Sequence, residues 1–454
     1  MSTICSISTA PGIGAIAIVR VSGPKAFAVV GQLVKNTAQF EALSPNTAKF
    51  VGLYDGESLV DQAVVVKFAA PHSYDGEDMV EISCHGSRYI QQKVLEMLLQ
   101  RGCRMAEPGE FTMRAFMNGK MDLPQAEAVG DLIDSQSESA HRLAVSQLKG
   151  GFSKKISELR DRFIQVAALL ELELDFSEEE VEFADRTQLF ALLSELKSEV
   201  TRLTESFRMG NALKNGVPVA IVGKPNVGKS TLLNALLNDD RAIVSDIPGT
   251  TRDTIEDTVT IGGTLFRFID TAGIRNSSDE IENFGIQRTY QSVDKADIVL
   301  YLVDAATSAS GEVQAEIAAL RQRPGGDEKC IILVINKIDT TTNDAFVHWS
   351  DSEVVRISAK ERRNIEAVGE LLTRHIASQH IGETTLLTNA RHYDIMVKIA
   401  QDIDVVVQGL TDGLPTDLVA IDVRGILDKL GTLTGTITDN DVLNTVFGKF
   451  CIGK

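Results

Sequence analysis

Residues 218–237 read PVAIVGKPNVGKSTLLNALL. An apolar run suited to one buried strand passes through a glycine-containing loop into a stretch with helical apolar spacing. That order commits the chain to a strand–loop–helix unit of a mainly parallel sheet. Within it, Gly223-Lys224-Pro225-Asn226-Val227-Gly228-Lys229-Ser230 fits G-x-x-x-x-G-K-[ST]. Glycines let backbone N–H groups turn inward on phosphate oxygens, and the following helix presents the positive end of its dipole. Lys229 supplies a point charge for β- and γ-phosphate oxygens and Ser230 a hydroxyl for Mg²⁺. Asn226, Val227, Gly228 and Thr231 complete the turn around them.

Further motifs follow in a fixed order. Thr250-Thr251-Arg252-Asp253 lies in a loop rich in Gly and Pro, where a mobile switch would sit, with Thr251 the candidate second Mg²⁺ ligand. Asp270-Thr271-Ala272-Gly273 ends the apolar run LFRFI, which suits Asp270 to a water-mediated Mg²⁺ contact and Gly273 to sensing a γ-phosphate through its N–H. Asn336-Lys337-Ile338-Asp339 follows IILVI. A carboxylate there accepts the N1 and 2-amino protons of guanine, a donor pair that adenine lacks. Ser358-Ala359-Lys360, after Val354–Ile357, would finish the base pocket. Together these predict a guanine-nucleotide domain. The position of the water-orienting glutamine after D-x-x-G holds Ile274, which has no polar atom, leaving Asp279, Glu280 and Glu282 as nearby acidic candidates. Asn226 offers a neutral oxygen to a monovalent cation that would offset charge between the β- and γ-oxygens.

The rest of the 454-residue chain has a different texture on each side of this unit. Residues 1–118 mix strand runs (Ala15–Val21, Gln62–Phe68, Met79–Ser83) with a helix over Ile90–Leu99, an α+β domain. Residues 119–215 turn to long amphipathic helices, with stripes at Ile156, Leu159, Phe163, Val166, Leu170 and at Leu189, Leu193, Leu196, Val200, Leu203, Phe207. Residues 216–380 carry the motifs above on alternating strands and helices, a doubly wound sheet. Helical texture returns over 381–454, at Met396, Ile399, Ile403, Val406 and Leu410, so the α/β unit is expected as an insertion in a discontinuous helical domain. The acidic run Glu178–Glu180, Glu182 and Asp185 reads as a solvated corner.

Apolar residues make up 43% and charged residues 24%, which excludes a disordered or fibrous chain. A formal charge of −18 disfavours non-specific adhesion to nucleic acid or anionic lipid. No apolar run approaches the roughly 20 residues of a membrane span, and MSTICSISTAPG lacks the basic start and apolar core of a signal peptide. The five cysteines, Cys5, Cys84, Cys103, Cys330 and Cys451, are scattered without a C-x-x-C pair. Reduced thiols in the cytoplasm are therefore expected, with neither a disulfide framework nor a zinc site. Cys451 stands fourth from the end in a C-a-a-X shape, but Gly453 and Lys454 do not suit prenylation.

GKPNVGKS, DIPGTTRD, DTAG, NKID and SAK, with PGEFTMRAFMNGKMDLPQAEAVGDLID and the terminal Cys451-Ile452-Gly453-Lys454, resemble the bacterial tRNA uridine-5-carboxymethylaminomethyl modification GTPases of the TrmE-Era-EngA-like family. The resemblance spans the whole chain. It implies a Ras-like G domain inserted in the helical domain, a folate-binding N-terminal domain, and K⁺-activated hydrolysis with two G domains of a homodimer meeting across GTP. Carried over by position, K⁺ would be held by Asn226, Ser245, Ile247 and Thr250, and Mg²⁺ by Ser230 and Thr251. Asp246, Pro248, Gly249, Thr271 and Ala272 would line the nucleotide, and Glu282 would orient water. Arg20, Glu81, Lys120 and Lys454 would contact a tetrahydrofolate whose 5,10-methylene form donates the carbon, with Cys451 beside the reacting carbon. Implied partners are tRNA and the FAD-containing MnmG in a heterotetramer, with no membrane attachment. The early loop Pro11-Gly12-Ile13-Gly14 departs from the Arg-Gly pair common in the family. One alternative is a ribosome-assembly or other regulatory GTPase without modification chemistry. The ribosome-assembly kind would call for a basic RNA-binding appendage or a KH-type loop, and the sequence has neither. A second alternative is a folate-dependent methyltransferase with a regulatory nucleotide domain.

Overall fold

The structure, a computed structural model, describes residues 2–176, 186–237, 256–269, 290–323, 325–341, 346, 349, 353–379, 385–437 and 440–453. The acidic run expected at a helical corner lies outside them. The chain divides into two compact units. One comprises Met1–Gly130, Gln147–Leu193 and Asp402–Lys454, the other Asp131–Ser146 and Ser194–Gln401.

The first unit holds a sheet of β1 (Ile4–Ile7), β2 (Ile16–Ser22), β3 (Ala48–Asp55), β4 (Ser58–Phe68), β5 (Met79–His85) and β6 (Arg104–Met105), in the order β3-β4-β5-β2-β1-β6. Only β1 and β6 pair in parallel; the other neighbours are antiparallel. Alternation decides what each face carries. Ala17, Val19 and Val21 of β2 enter a core with Val80, Ile82 and Cys84 of β5 and with Val94, Met97 and Leu98 of the helix Arg88–Gln100. Arg20, one residue out of step, is thereby on the opposite face, directly across from Glu81. On that face Ile4, Met79, Ala106 and Phe111 make a second, smaller core.

In the same unit the helix Gly151–Phe176 buries Phe152, Ile156, Leu159, Phe163, Val166 and Leu170. It packs against Thr416–Thr434, whose Val419, Val423, Ile426, Leu430 and Leu433 are buried. The stripes at three- and four-residue spacing are therefore the seam between helices far apart in sequence. Among the described residues no helix is long and apolar enough to cross a membrane.

The second unit contains β7 (Val217–Val222), β8 (Asp257–Ile261), β9 (Thr264–Phe268), β10 (Ile298–Asp304), β11 (Cys330–Asn336) and β12 (Glu353–Arg356), ordered β12-β11-β10-β7-β9-β8. All pair in parallel except β8, which forms an antiparallel edge on β9. Its hairpin turns at Gly262 and Gly263, both at positive φ (56° and 76°), the two-residue geometry that favours glycine. Every residue of β10 is buried, with Ile298, Leu300 and Leu302 in the core on one face and Val299, Tyr301 and Val303 in the core on the other. Burial on both faces explains the unbroken apolar run, each large side chain contributing roughly 1.5–3 kcal/mol. β7 lies between β9 and β10, so strand order reverses there, and the loop leaving its C-terminal end opens into the crevice where such sheets bind ligands.

Candidate functional site

The phosphate loop leaves β7 at Gly223 and enters the helix Lys229–Leu237. A Cβ on Gly223 would lie 2.3 Å from the Leu302 carbonyl of β10, and one on Gly228 would lie 2.3 Å from Nδ2 of Asn336. Both glycines therefore admit close neighbours as well as positive φ. Through the gap at Gly228, Asn336 Nδ2 donates to the Val227 carbonyl at 2.7 Å, while Asn336 Oδ1 accepts from the Ala359 N–H at 2.9 Å. One buried amide thus joins the phosphate loop to the Ser358-Ala359-Lys360 loop. Lys337 adopts φ 63°, an uncommon conformation for a residue with a Cβ, and its Nζ donates to the Asn226 carbonyl (2.7 Å) and to Asp304 Oδ2 (2.8 Å). Burial alone would raise the Asp304 carboxyl, but the Lys337 ammonium and the Ala306 N–H hold it below the usual carboxylate range.

Asp339 stands exposed at the mouth of this cradle, and the hydroxyl of buried Ser358 holds its carboxyl below the ordinary value. A low value keeps it ionised and free to accept two donors from a base. Lys229 donates to the carbonyls of Gly223 (2.7 Å) and Lys224 (2.9 Å), and burial pushes its ammonium down from the ordinary lysine range. Ser230 is half-buried in the first turn, and Thr231 beside it is exposed. Asn226 is exposed at the loop tip with φ 61°, a conformation that asparagine tolerates better than most residues. Ser245, Asp246, Ile247, Pro248, Gly249, Thr250, Thr251, Asp270, Thr271, Ala272, Gly273 and Glu282 lie outside the described residues, as does Lys454.

In the first unit, Arg20 donates through Nε (3.1 Å) and Nη2 (2.7 Å) to a single oxygen, Oε1, of Glu81. Its guanidinium lies over the Tyr74 ring at 5.1 Å and the Phe111 ring at 5.5 Å from the centroids. The Tyr74 hydroxyl is fixed by Thr112 at 2.8 Å. Lys120 reaches the loop that carries Tyr74 by donating to the Pro71 carbonyl at 2.9 Å, and Asn118 donates to the Asp75 carbonyl at 2.7 Å. A carboxylate acceptor beside a cation stacked on two flat rings is a set suited to a planar heterocycle whose N–H groups donate.

The C-terminal segment meets this same region. Ile452 forms an antiparallel bridge with Pro108, and the Ser8 hydroxyl donates to the Gly453 carbonyl at 3.0 Å. Cys451 is exposed, whereas Cys5, Cys84 and Cys103 are buried. Burial pushes the Cys84 thiol up to about 11.

Two family descriptions match the chain: "GTP-binding protein TrmE N-terminus" over residues 3–120 and "MnmE helical domain" over residues 123–451. Among curated proteins, the chain is 48% identical over 468 residues to the tRNA modification GTPase MnmE of Bacteroides fragilis, covering 100% of this chain and 99% of that one. The chain belongs to the MnmE family. It is likewise 47% identical over 470 residues to the MnmE of Bacteroides thetaiotaomicron and 45% over 463 residues to that of Flavobacterium johnsoniae, in both cases covering 100% of this chain and 99% of the relative.

In this MnmE-family chain three residues of the two sites have no role assigned by the sequence motifs: Asp304, Tyr74 and Phe111. Asp304 has a legible signal, as a carboxylate closing an all-apolar strand on the edge that also carries Asn336. Tyr74 and Phe111 have none, because only the folded sheet brings them under Arg20. Asn336 was legible as part of a base-recognition motif, but its observed bonds run to the phosphate loop and to Ala359.

Proposed function

We propose that the chain is a K⁺-activated GTP hydrolase that, with the flavin-containing partner MnmG, adds an aminomethyl or carboxymethylaminomethyl group at C5 of the wobble uridine of certain tRNAs. The observation that carries the nucleotide half is the double engagement of Asn336. It makes the phosphate loop and the base-side loop one preorganised cradle, so that a guanine held by Asp339 fixes where the phosphates fall. Lys229 meets the β- and γ-oxygens, exchanging its two carbonyl partners for phosphate, and Glu282 orients the attacking water. Ser230 and Thr251 would hold Mg²⁺, and Asn226, Ser245, Ile247 and Thr250 would hold K⁺. Asn226 fits that set as an exposed neutral oxygen donor at the loop tip. Bound there, these cations supply the charge compensation that an arginine finger gives elsewhere.

For the one-carbon half, Arg20, Glu81, Lys120 and Lys454 bind a tetrahydrofolate whose 5,10-methylene form is the donor. Glu81 accepts pteridine N–H groups and the cations meet the glutamyl carboxylates. Cys451 stands by the reacting carbon, and FAD resides on the partner. The working species is a homodimer whose G domains close across GTP, joined to MnmG in a heterotetramer in the cytoplasm. Residues 119–215 and 381–454 form its helical domain around the inserted G domain of 216–380. Opening and closing of the G domains is the switch that times modification. The nucleoside profile of tRNA from a strain lacking this gene tests the reading. The C5-substituted wobble uridines should vanish, and should return with the intact chain but not with Lys229→Ala. An unchanged profile in the deletion strain overturns the proposal.

A further inference from the structure

The chain before the C-terminus is held on both sides of Cys451, which is exposed, as is the Ile452 side chain beside it. On the N-terminal side, the Phe450 ring packs 5.7 Å from that of Phe447. Two glycines give this segment room: a Cβ on Gly109 would lie 2.7 Å from the Phe447 carbonyl and 3.1 Å from Phe450 Cβ, and one on Gly130 would lie 3.2 Å from the Phe450 ring. On the C-terminal side, Ile452 bridges to Pro108, and Gly453 accepts from the Ser8 hydroxyl at 3.0 Å. Gly453 sits at φ +104°, and a Cβ there would fall 2.1 Å from the Ile7 carbonyl oxygen and 3.2 Å from Ser8 Cα. Those neighbours are backbone of β1 and its exit, so they cannot swing aside. Between the two anchors stands Cys451, exposed.

Chain ends are usually poorly ordered unless tied down. Here one tie reaches the exit of β1, which pairs with the strand carrying Arg20, and another reaches the loop before Phe111. Ser8 donates its own N–H to the Ile18 carbonyl of β2 at 2.8 Å, Ser6 lies opposite Arg20 in the β1–β2 register, and Pro108 stands three residues before Phe111. We propose that Gly453 and Ser8 are positioning residues that clamp the tail against the exit of β1, fixing the Cys451 thiol relative to the Arg20–Glu81 site. Gly453 acts by having no side chain and Ser8 by its hydroxyl. The proposal rests on the reading that Cys451 serves the one-carbon step.

The test uses the full chain with its flavoprotein partner, tRNA and 5,10-methylene-tetrahydrofolate. Gly453→Ala should abolish hydrogen-exchange protection in the 446–453 peptide. It should lower kcat for modification about 100-fold, as a misplacement of about 1 Å does, while KM for the folate stays within about twofold. GTP turnover, in which neither residue takes part, should be unchanged and serves as the folding control. Ser8→Ala should lower kcat a few-fold and Ser8→Thr, which keeps the hydroxyl, should restore it. Retained protection, or an undiminished kcat, in Gly453→Ala while Cys451→Ser is inactive would overturn the clamp alone. Full activity in Cys451→Ser would overturn the reading beneath it.

Discussion

In the parallel sheet, the groups that would grip a nucleotide follow directly on strand ends: Gly223 after β7, Asn336 at the end of β11, Ser358 just beyond β12. Strand order alone carries them to one edge, and much of their hydrogen bonding is to main-chain atoms. In the antiparallel sheet, by contrast, Arg20 and Glu81 meet across a strand pair, their aromatic bed comes from a loop and a helix, and the nearest bond to the tail joins residues 8 and 453. The first region is built from short segments that each follow a strand end, tied together by Asn336 and Lys337. The second exists only when distant pieces are packed, and is held by buried charge. Glu110 and Arg114, each 3% exposed, pair with one another at 2.8 Å, and Arg114 also donates to Glu77 (2.9 Å) and to the Ser2 carbonyl (2.8 Å).

The contrast can be broken where it is strongest. Arg114→Met strands Glu77 and weakens the hold on Glu110, so unfolding of the first unit should become easier by about 3 kcal/mol, the penalty for breaking a buried pair. GTP affinity of the parallel sheet should remain as before. Thermal melts paired with nucleotide titrations check this, and equal losses in both would erase the distinction. The same cluster sets a pH dependence. Burial raises the Glu110 carboxyl, but Arg104, the Glu107 N–H and Arg114 together lower it below its ordinary value. Its stabilisation is therefore present above the unfolded value of about 4.3 and is lost as pH falls through the lower folded value.

A smaller effect sharpens the other side. Asp339→Asn replaces an acceptor-only carboxylate with an amide that can donate, so GTP should bind about 100-fold more weakly. Xanthosine triphosphate, with a carbonyl where guanine has its amino group, should gain. Competition titration with the two nucleotides measures the exchange, and unaltered preference for GTP would remove Asp339 from the base pocket.

What was legible follows from the same contrast. β10 and β11 were readable because strands buried on both faces are continuous apolar runs. The seam of Gly151–Phe176 was readable because its stripe repeats over many turns. β1, with the four residues ICSI, is too short to display a period, and β8, DTVTI, owes its place to the glycine turn joining it to β9. Asp304 is legible as a carboxylate closing an apolar strand, but its pairing is not, since Lys337 is 33 residues away. The contact of Ser8 with Gly453 leaves no local trace, since nothing near either residue depends on the other until the chain is folded.

GTP turnover of the full chain, compared in K⁺ and in Na⁺ at equal ionic strength for the wild type and Asn226→Ala, tests the central claim most directly. The account predicts wild-type turnover about 100-fold faster in K⁺, the order of one preorganised charge contact, with Asn226→Ala slow in both salts. Equal wild-type rates in the two salts, or an Asn226→Ala chain that keeps the full K⁺ stimulation, would contradict it.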